Sequence, residues 1–246
     1  IEEMQASLST LITQYPSGMN INAVLAAKNF GVSPKEIVVG NGAAEIIKEI
    51  VEKNNCKVGF ICPTFDEYVN RCQEDKIVVF KSLESNFLYS AEDIMSFFNM
   101  TDIEKLILIN PDNPSGLFIA RKDVIRIIVW AKQKEITVVI DESFIDFADG
   151  ENNSLVDDYI YRKFDNLIIV KNISETHGVP GLRLGIAISG NVAEIEYLRK
   201  ALSIWNINSL AEFYMQIAEK YRIDYKIGIN RFKNVRKNFL NSLAKL

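Results

Sequence analysis

Short runs of four or five apolar residues recur along the chain, and between them apolar residues return at helical spacing. The β-branched and aliphatic runs at residues 36–39, 57–61, 77–80, 106–109, 136–140, 167–170 and 185–188 predict strands. Continuous rather than alternating hydrophobicity means burial on both faces. Residues 20–30 predict a helix that Gly31 closes. Residues 43–53 carry Ile46, Ile47, Ile50 and Val51 on one helical face. Further helices are predicted up to residue 12 and over 65–73, 91–98 (with Ser90 as N-cap) and 121–134. Beyond Asn191 the pattern is helical throughout, and 224–246 reads as one long amphipathic helix rich in Arg and Lys. Strands alternating with helices define an α/β fold, a three-layer sandwich around a mainly parallel sheet.

Composition narrows the function classes. With 246 residues and 48% hydrophobic content the chain can bury a large core. The net charge of −4 argues against nucleic acid or an anionic membrane as partner. Apolar stretches of about five residues are far short of the roughly 18 that suggest a membrane span. Cys56, Cys62 and Cys72 form no CxxC pair, which suggests reduced thiols and a cytoplasmic setting. The single histidine, His177, excludes a zinc site built from several His. No charged-then-apolar leader opens the chain, and a first residue other than Met suggests a piece of a longer protein.

In a parallel α/β sheet ligands bind beyond the carboxyl ends of the strands, so the residues following each run are the candidates. Gly40-Asn41-Gly42-Ala43-Ala44-Glu45 leads from a strand into a helix, where free amides suit a phosphate or simply make a tight turn. It lacks the third glycine of a dinucleotide fingerprint and the Gly-Lys-Ser/Thr of a P-loop. Asp141 ends a buried run and needs a hydrogen-bonded or cationic partner: a structural salt bridge, or a protonated heterocyclic nitrogen. Arg183, in Gly-Leu-Arg-Leu-Gly, can clamp a phosphate or pair with Asp141 or Glu142. Asn113, between two prolines, can bond a ligand or form an Asx turn. Phe65 can stack on a planar ligand or fill the core.

Taken together, Tyr15-Pro16, the 40–45 loop, Pro63-Thr64-Phe65-Asp66-Glu67-Tyr68, and the segments 110–116, 141–147 and 174–185 resemble the class I/II aminotransferases. These are fold-type I enzymes dependent on pyridoxal 5′-phosphate (PLP). The chain is most similar to the histidinol-phosphate aminotransferase and threonine-phosphate decarboxylase branches. The 141–147 and 205–208 segments also resemble aminotransferase halves fused to a nucleotidyltransferase. The resemblance implies amino-group transfer between an amino acid, phosphorylated or not, and a 2-oxo acid. It further implies that Asp141 holds the pyridine nitrogen, Asn113 the ring hydroxyl and Phe65 the ring face. Ala43, Ala44, Ser174 and Arg183 would take the phosphate, with Asn172 where a hydroxyl-bearing ligand is usual. Tyr15 would reach the phosphate of a neighbouring subunit, which implies a homodimer. Residues 1–222 would form the PLP-binding large domain, and 223–246 a helix leading toward a small domain absent from this chain.

Two departures matter. Phe144 stands where many members have a tyrosine, a replacement that the decarboxylase branch shares. Glu175 stands where the family lysine bonds the cofactor covalently and later moves the proton; a carboxylate can do neither. Thr176 and His177 also differ from the usual small-aromatic pair. Lys171 is the nearest alternative amine, and His177 a possible base or merely an aromatic filler. Glu175 could instead pair with Arg183 or Lys171. The competing expectation is therefore a non-catalytic descendant that binds PLP weakly or without a covalent bond, that serves as a structural or dimerisation module, or that is an inactive fragment.

Overall fold

A computed structural model describes residues 1–82 and 86–245. The apolar runs form one seven-stranded sheet among the described residues. Its strands are β1 (Ile37–Asn41), β2 (Val58–Cys62), β3 (Ile77–Lys81), β4 (Lys105–Ile109), β5 (Thr137–Asp141), β6 (Leu167–Asn172) and β7 (Leu184–Ile188), each where the pattern placed it. The order is β1-β7-β6-β5-β4-β2-β3. Pairs β2·β3, β2·β4, β4·β5 and β5·β6 are parallel. β7 runs antiparallel to both β6 and β1, so it is the one reversed strand of the sheet.

Side chains alternate across the sheet, and the alternation sorts the core into two halves. Val138, Ile140, Leu167 and Ile169 face α2 (Met19–Phe30), α5 (Ala91–Phe98), α6 (Arg121–Gln133) and α9 (Ser209–Ile217). Val139, Ile168 and Val170 face α3 (Ala43–Glu52), α4 (Asp66–Val69) and α8 (Val192–Ala201). The three-layer sandwich follows directly. The remaining helices are α1 (Glu2–Thr13), the one-turn α7 (Ile173–Thr176) and α10 (Arg222–Leu243).

α2 ends on Gly31 in the left-handed region, and Ser90 caps α5 by accepting from the Asp93 amide. The expected 65–73 helix is shorter: α4 stops at Val69, and residues 70–76 turn back to start β3. The three cysteines are free. No described helix is long and apolar enough to cross a membrane. The long terminal helix α10 has no buried residue. It rests on the loop after β5 through Phe232 against Phe147 (4.9 Å between ring centres) and Tyr225 on Asp146 (2.6 Å).

Candidate active site

The expected site residues gather at the carboxyl end of the sheet, linked contact by contact. Asp141 ends β5 and, by alternation, points to the α3–α4 side. It is 4% exposed. The Tyr68 hydroxyl donates to its Oδ2 (2.8 Å) and the Ser143 amide to its Oδ1 (2.8 Å). Burial pushes the Asp141 carboxyl above the usual carboxylate range; the two donors oppose this, and the nearby charge of Glu175 adds to it. Neither Arg183 nor any other cation bonds Asp141 among the described residues. Tyr68 is itself fully buried, and its hydroxyl pKa is well raised by burial and then by Asp141, so it stays a donor. Phe65 sits one helical turn earlier, with its ring edge-on to Tyr68 at 6.5 Å. It is 42% exposed, which removes it from the core.

The chain of contacts continues through Ser143, whose Oγ accepts from the Asn172 amide (2.8 Å). Asn172 ends β6, and its Oδ1 is a buried acceptor with no partner among the described residues. An orphaned buried oxygen is costly unless a donor arrives. Ser174 is buried, and its Oγ accepts from the Leu184 amide. Arg183 is exposed, lies in the left-handed region (φ 55), and its carbonyl accepts from the Gly42 amide (2.7 Å). Its guanidinium has no hydrogen bond or ion pair among the described residues and lies over Gly42. A Cβ there would come within 2.6 Å of Nη2, and Gly42 also needs its positive φ of 73°.

Gly42 turns the chain into α3 with no side-chain cap, so the first amides of the helix, those of Ala43 and Ala44, have no intrahelical partner. Gly185 of β7 presses against this turn; a Cβ there would lie 2.3 Å from the Ala43 nitrogen. The free amides, the guanidinium and the helix dipole form an anion cradle.

Other expected residues lie differently. Asn113 is half-buried in the loop after β4, which is tied to β5 where the Asn110 amide donates to the Asp141 carbonyl (2.9 Å). Of the two roles open to Asn113, the Asx turn is not formed among the described residues; the side chain that braces this loop is Asp112, which accepts from the Ser115 amide (3.2 Å). Tyr15 touches none of these groups; it is 79% exposed and stacks on Trp205 at 4.5 Å. The neighbouring Asn206 donates to the Val39 carbonyl (3.0 Å) and to Glu45 (2.8 Å), which ties this corner to the start of α3.

Lys171 does not approach the site. On β6 it points to the face opposite Asp141, where Nζ pairs with buried Glu142 at 3.2 Å and bonds Ser154 Oγ at 3.2 Å. Glu142 also accepts from the Leu155 amide (2.7 Å). This pair lines a groove of about 1070 Å³ whose wall includes His177, Tyr214 and Tyr225. His177 Nδ1 bonds the Tyr214 hydroxyl (2.7 Å), and its ring lies against Tyr225 (4.3 Å). Burial lowers its pKa, so it fills an aromatic slot as a neutral ring. Glu175 is exposed on α7 and pairs with neither Lys171 nor Arg183. Phe144 is half-buried, 6.4 Å from Phe147, and offers no hydroxyl. No cluster of metal-ligating side chains occurs among the described residues.

This sheet, with an anion cradle and a buried aspartate at its carboxyl end, defines the large domain of a fold-type I PLP enzyme. The chain belongs to the aminotransferase class I and II family, whose model matches residues 19–246. It is 32% identical over 215 residues to L-serine phosphate decarboxylase of Campylobacter jejuni, covering 85% of this chain and 55% of that protein. It is 31% identical over 253 residues to a histidinol-phosphate aminotransferase of Thermoanaerobacter, covering 100% of this chain and 68% of that one. The histidinol-phosphate aminotransferase structure from Clostridium acetobutylicum superposes with a TM-score of 0.84 at 26% identity, covering 99% of this chain and 73% of that one. The chain spans little more than half the length of the decarboxylases it matches.

The family is PLP-dependent, and the residues present can be tested against that cofactor. The glycine-backed cradle and the unpaired Arg183 suit the phosphate end, whereas the orphaned Asn172 oxygen calls for a donor that a phosphate dianion lacks. Asp141, fixed by Tyr68 and Ser143, suits the pyridine nitrogen. The fit fails at one place: the covalent anchor, where Glu175 stands.

Proposed function

We propose that this chain is a PLP-binding module that holds its cofactor by charge, stacking and hydrogen bonds, without a covalent bond and without transamination. The observation that carries this reading is Glu175, an exposed carboxylate on α7 where the family lysine is expected, together with Lys171 locked to Glu142 on the opposite face. PLP, when bound, supplies an electron sink that requires a protonated ring nitrogen. In this reading Asp141 accepts from that nitrogen. Tyr68 and Ser143 hold the carboxylate still, and Phe65 covers the ring. Asn113 bonds the ring hydroxyl. The amides of Ala43 and Ala44, the Ser174 hydroxyl, the Asn172 side chain and the Arg183 guanidinium orient the phosphate. No group at position 175 can attach the cofactor or return a proton to the substrate carbon as an amine would.

The relatives named for serine phosphate and histidinol phosphate point to amines that carry a phosphate ester, phosphorylated amino acids among them, as the ancestral substrate class. In this reading such a substrate is not turned over. The protein works as a homodimer, with Tyr15 reaching into the neighbouring subunit's cradle. The exposure of Tyr15, and its support by Trp205 next to the start of α3, favour that arrangement.

The test is a PLP titration followed by absorption, then borohydride reduction and peptide mass mapping. Saturable binding that Arg183→Ala weakens, with no lysine adduct, is the expected result. A stoichiometric adduct on any one lysine, Lys171 included, overturns it.

A further inference from the structure

The left-handed backbone of Arg183 is fixed from both sides. An angle φ turns the peptide plane before a residue, and ψ the plane after it. The plane after Arg183 is pinned where its carbonyl accepts from the Gly42 amide (2.7 Å). The plane before it is pinned at both ends. The Arg183 amide donates to the Pro180 carbonyl (3.2 Å), and the Leu182 carbonyl accepts from Nδ2 of Asn208 (2.9 Å). A non-glycine residue leaves this costly region unless its neighbours hold it there. Asn208 is itself held: it is the N-cap of α9, and its Oδ1 accepts from the Ala211 amide (2.8 Å). Two residues earlier, Asn206 donates to the Val39 carbonyl (3.0 Å) and to Glu45 Oε2 (2.8 Å), and that same oxygen accepts from the Asn41 amide (2.7 Å). Ile207 between them is buried. One stretch of three residues, anchored in the core, therefore grips both walls of the cradle: the start of α3 through Asn206 and the Arg183 turn through Asn208.

We propose that Asn208 is a positioning residue of the anion cradle. By holding the Leu182 carbonyl it keeps Arg183 left-handed, and so keeps the guanidinium over Gly42 at the start of α3. This role rests on the reading that the cradle takes a phosphate. Asn208 touches no ligand in it; the arginine does, and a planar guanidinium bonds a phosphate well only when its fork is correctly aimed. The Asn208–Leu182 bond is exposed, so water replaces it at little cost to the fold. What its removal takes away is the aim of the arginine.

The experiment is a double-mutant cycle on the full chain, read by calorimetry with pyridoxine 5′-phosphate, a ligand that forms no covalent bond with an amine. Asn208→Ser keeps a neutral side-chain cap for α9 and is too short to reach the Leu182 carbonyl. Its melting temperature should stay close to that of the wild type, while affinity falls about three- to tenfold. In the Arg183→Ala background no guanidinium remains to be aimed, so the same substitution should change affinity by less than about twofold. A merely structural role would give the same loss in both backgrounds. Wild-type affinity in Asn208→Ser, or a loss as large without Arg183 as with it, overturns the inference; the phosphate reading then still stands on the weakening by Arg183→Ala alone. No binding to the wild type, or no weakening in Arg183→Ala, overturns the phosphate reading itself, and this inference with it.

Discussion

At the scale of single residues, the Asp141–Tyr68 contact carries a pH signature. Burial raises the Asp141 pKa above its unfolded value, so the folded state holds that proton to higher pH than the unfolded chain does. Stability is therefore lost through this group as pH rises above the ordinary carboxylate range. Removing the Tyr68 hydroxyl takes away a donor that favours the charged form. Tyr68→Phe should cost about 1–2 kcal/mol at pH 7 and distinctly less near pH 4. Urea denaturation at the two pH values measures the difference, and an equal penalty at both would count against a charged Asp141. Asp141 was legible in the sequence because a carboxylate closing an apolar run has to be explained. Tyr68 was not, because nothing in its spacing separates a hydrogen-bonded tyrosine from a core aromatic. Its position three residues after Phe65, on one face of a turn, was the available signal.

At the scale of elements, the seven strands were visible as apolar runs, and their direction was not. Periodicity reports which faces are buried and says nothing of polarity, so the reversed β7 emerged only from the pairing. β7 brings Gly185 against the start of α3, and a side chain has no space there. Gly185→Ala should destabilise the fold by about 1–3 kcal/mol and weaken phosphate-ligand binding together with it, because the clash is with backbone. Stability from denaturation and affinity from calorimetry would show whether the two losses coincide. His177 joins three elements through Tyr214 on α9 and Tyr225 on α10. Its pKa is lowered by burial, so the unfolded chain takes up its proton first as pH falls. The stability it contributes is present above about pH 6.5 and declines below it. His177→Phe should flatten that decline, as read from unfolding free energies between about pH 5 and 7.

At the scale of the whole molecule, the sheet works as a partition. Asp141 and Glu142 are adjacent in sequence and face opposite layers, one toward Tyr68 and the other toward Lys171. The period of two made this readable, although the lysine's nearness in sequence drew attention to the wrong side of the sheet. Lys171→Met leaves a buried carboxylate without its cation and should cost about 3–5 kcal/mol. The folded fraction should bind a pyridine phosphate as well as wild type does. A selective loss of binding at unchanged stability would instead place Lys171 in the site.

The left-handed backbone of Arg183 bears on how this protein would drift under selection. A non-glycine residue in that region costs roughly 1 kcal/mol or more, and glycine relieves it. Arg183→Gly should therefore yield a chain that is more stable and binds anions less. A random library sorted only for thermal resistance should enrich glycine or asparagine at 183, whereas one sorted on a phosphorylated ligand should keep the arginine. Deep sequencing of the two pools would show whether this one dihedral angle sets stability against ligand affinity.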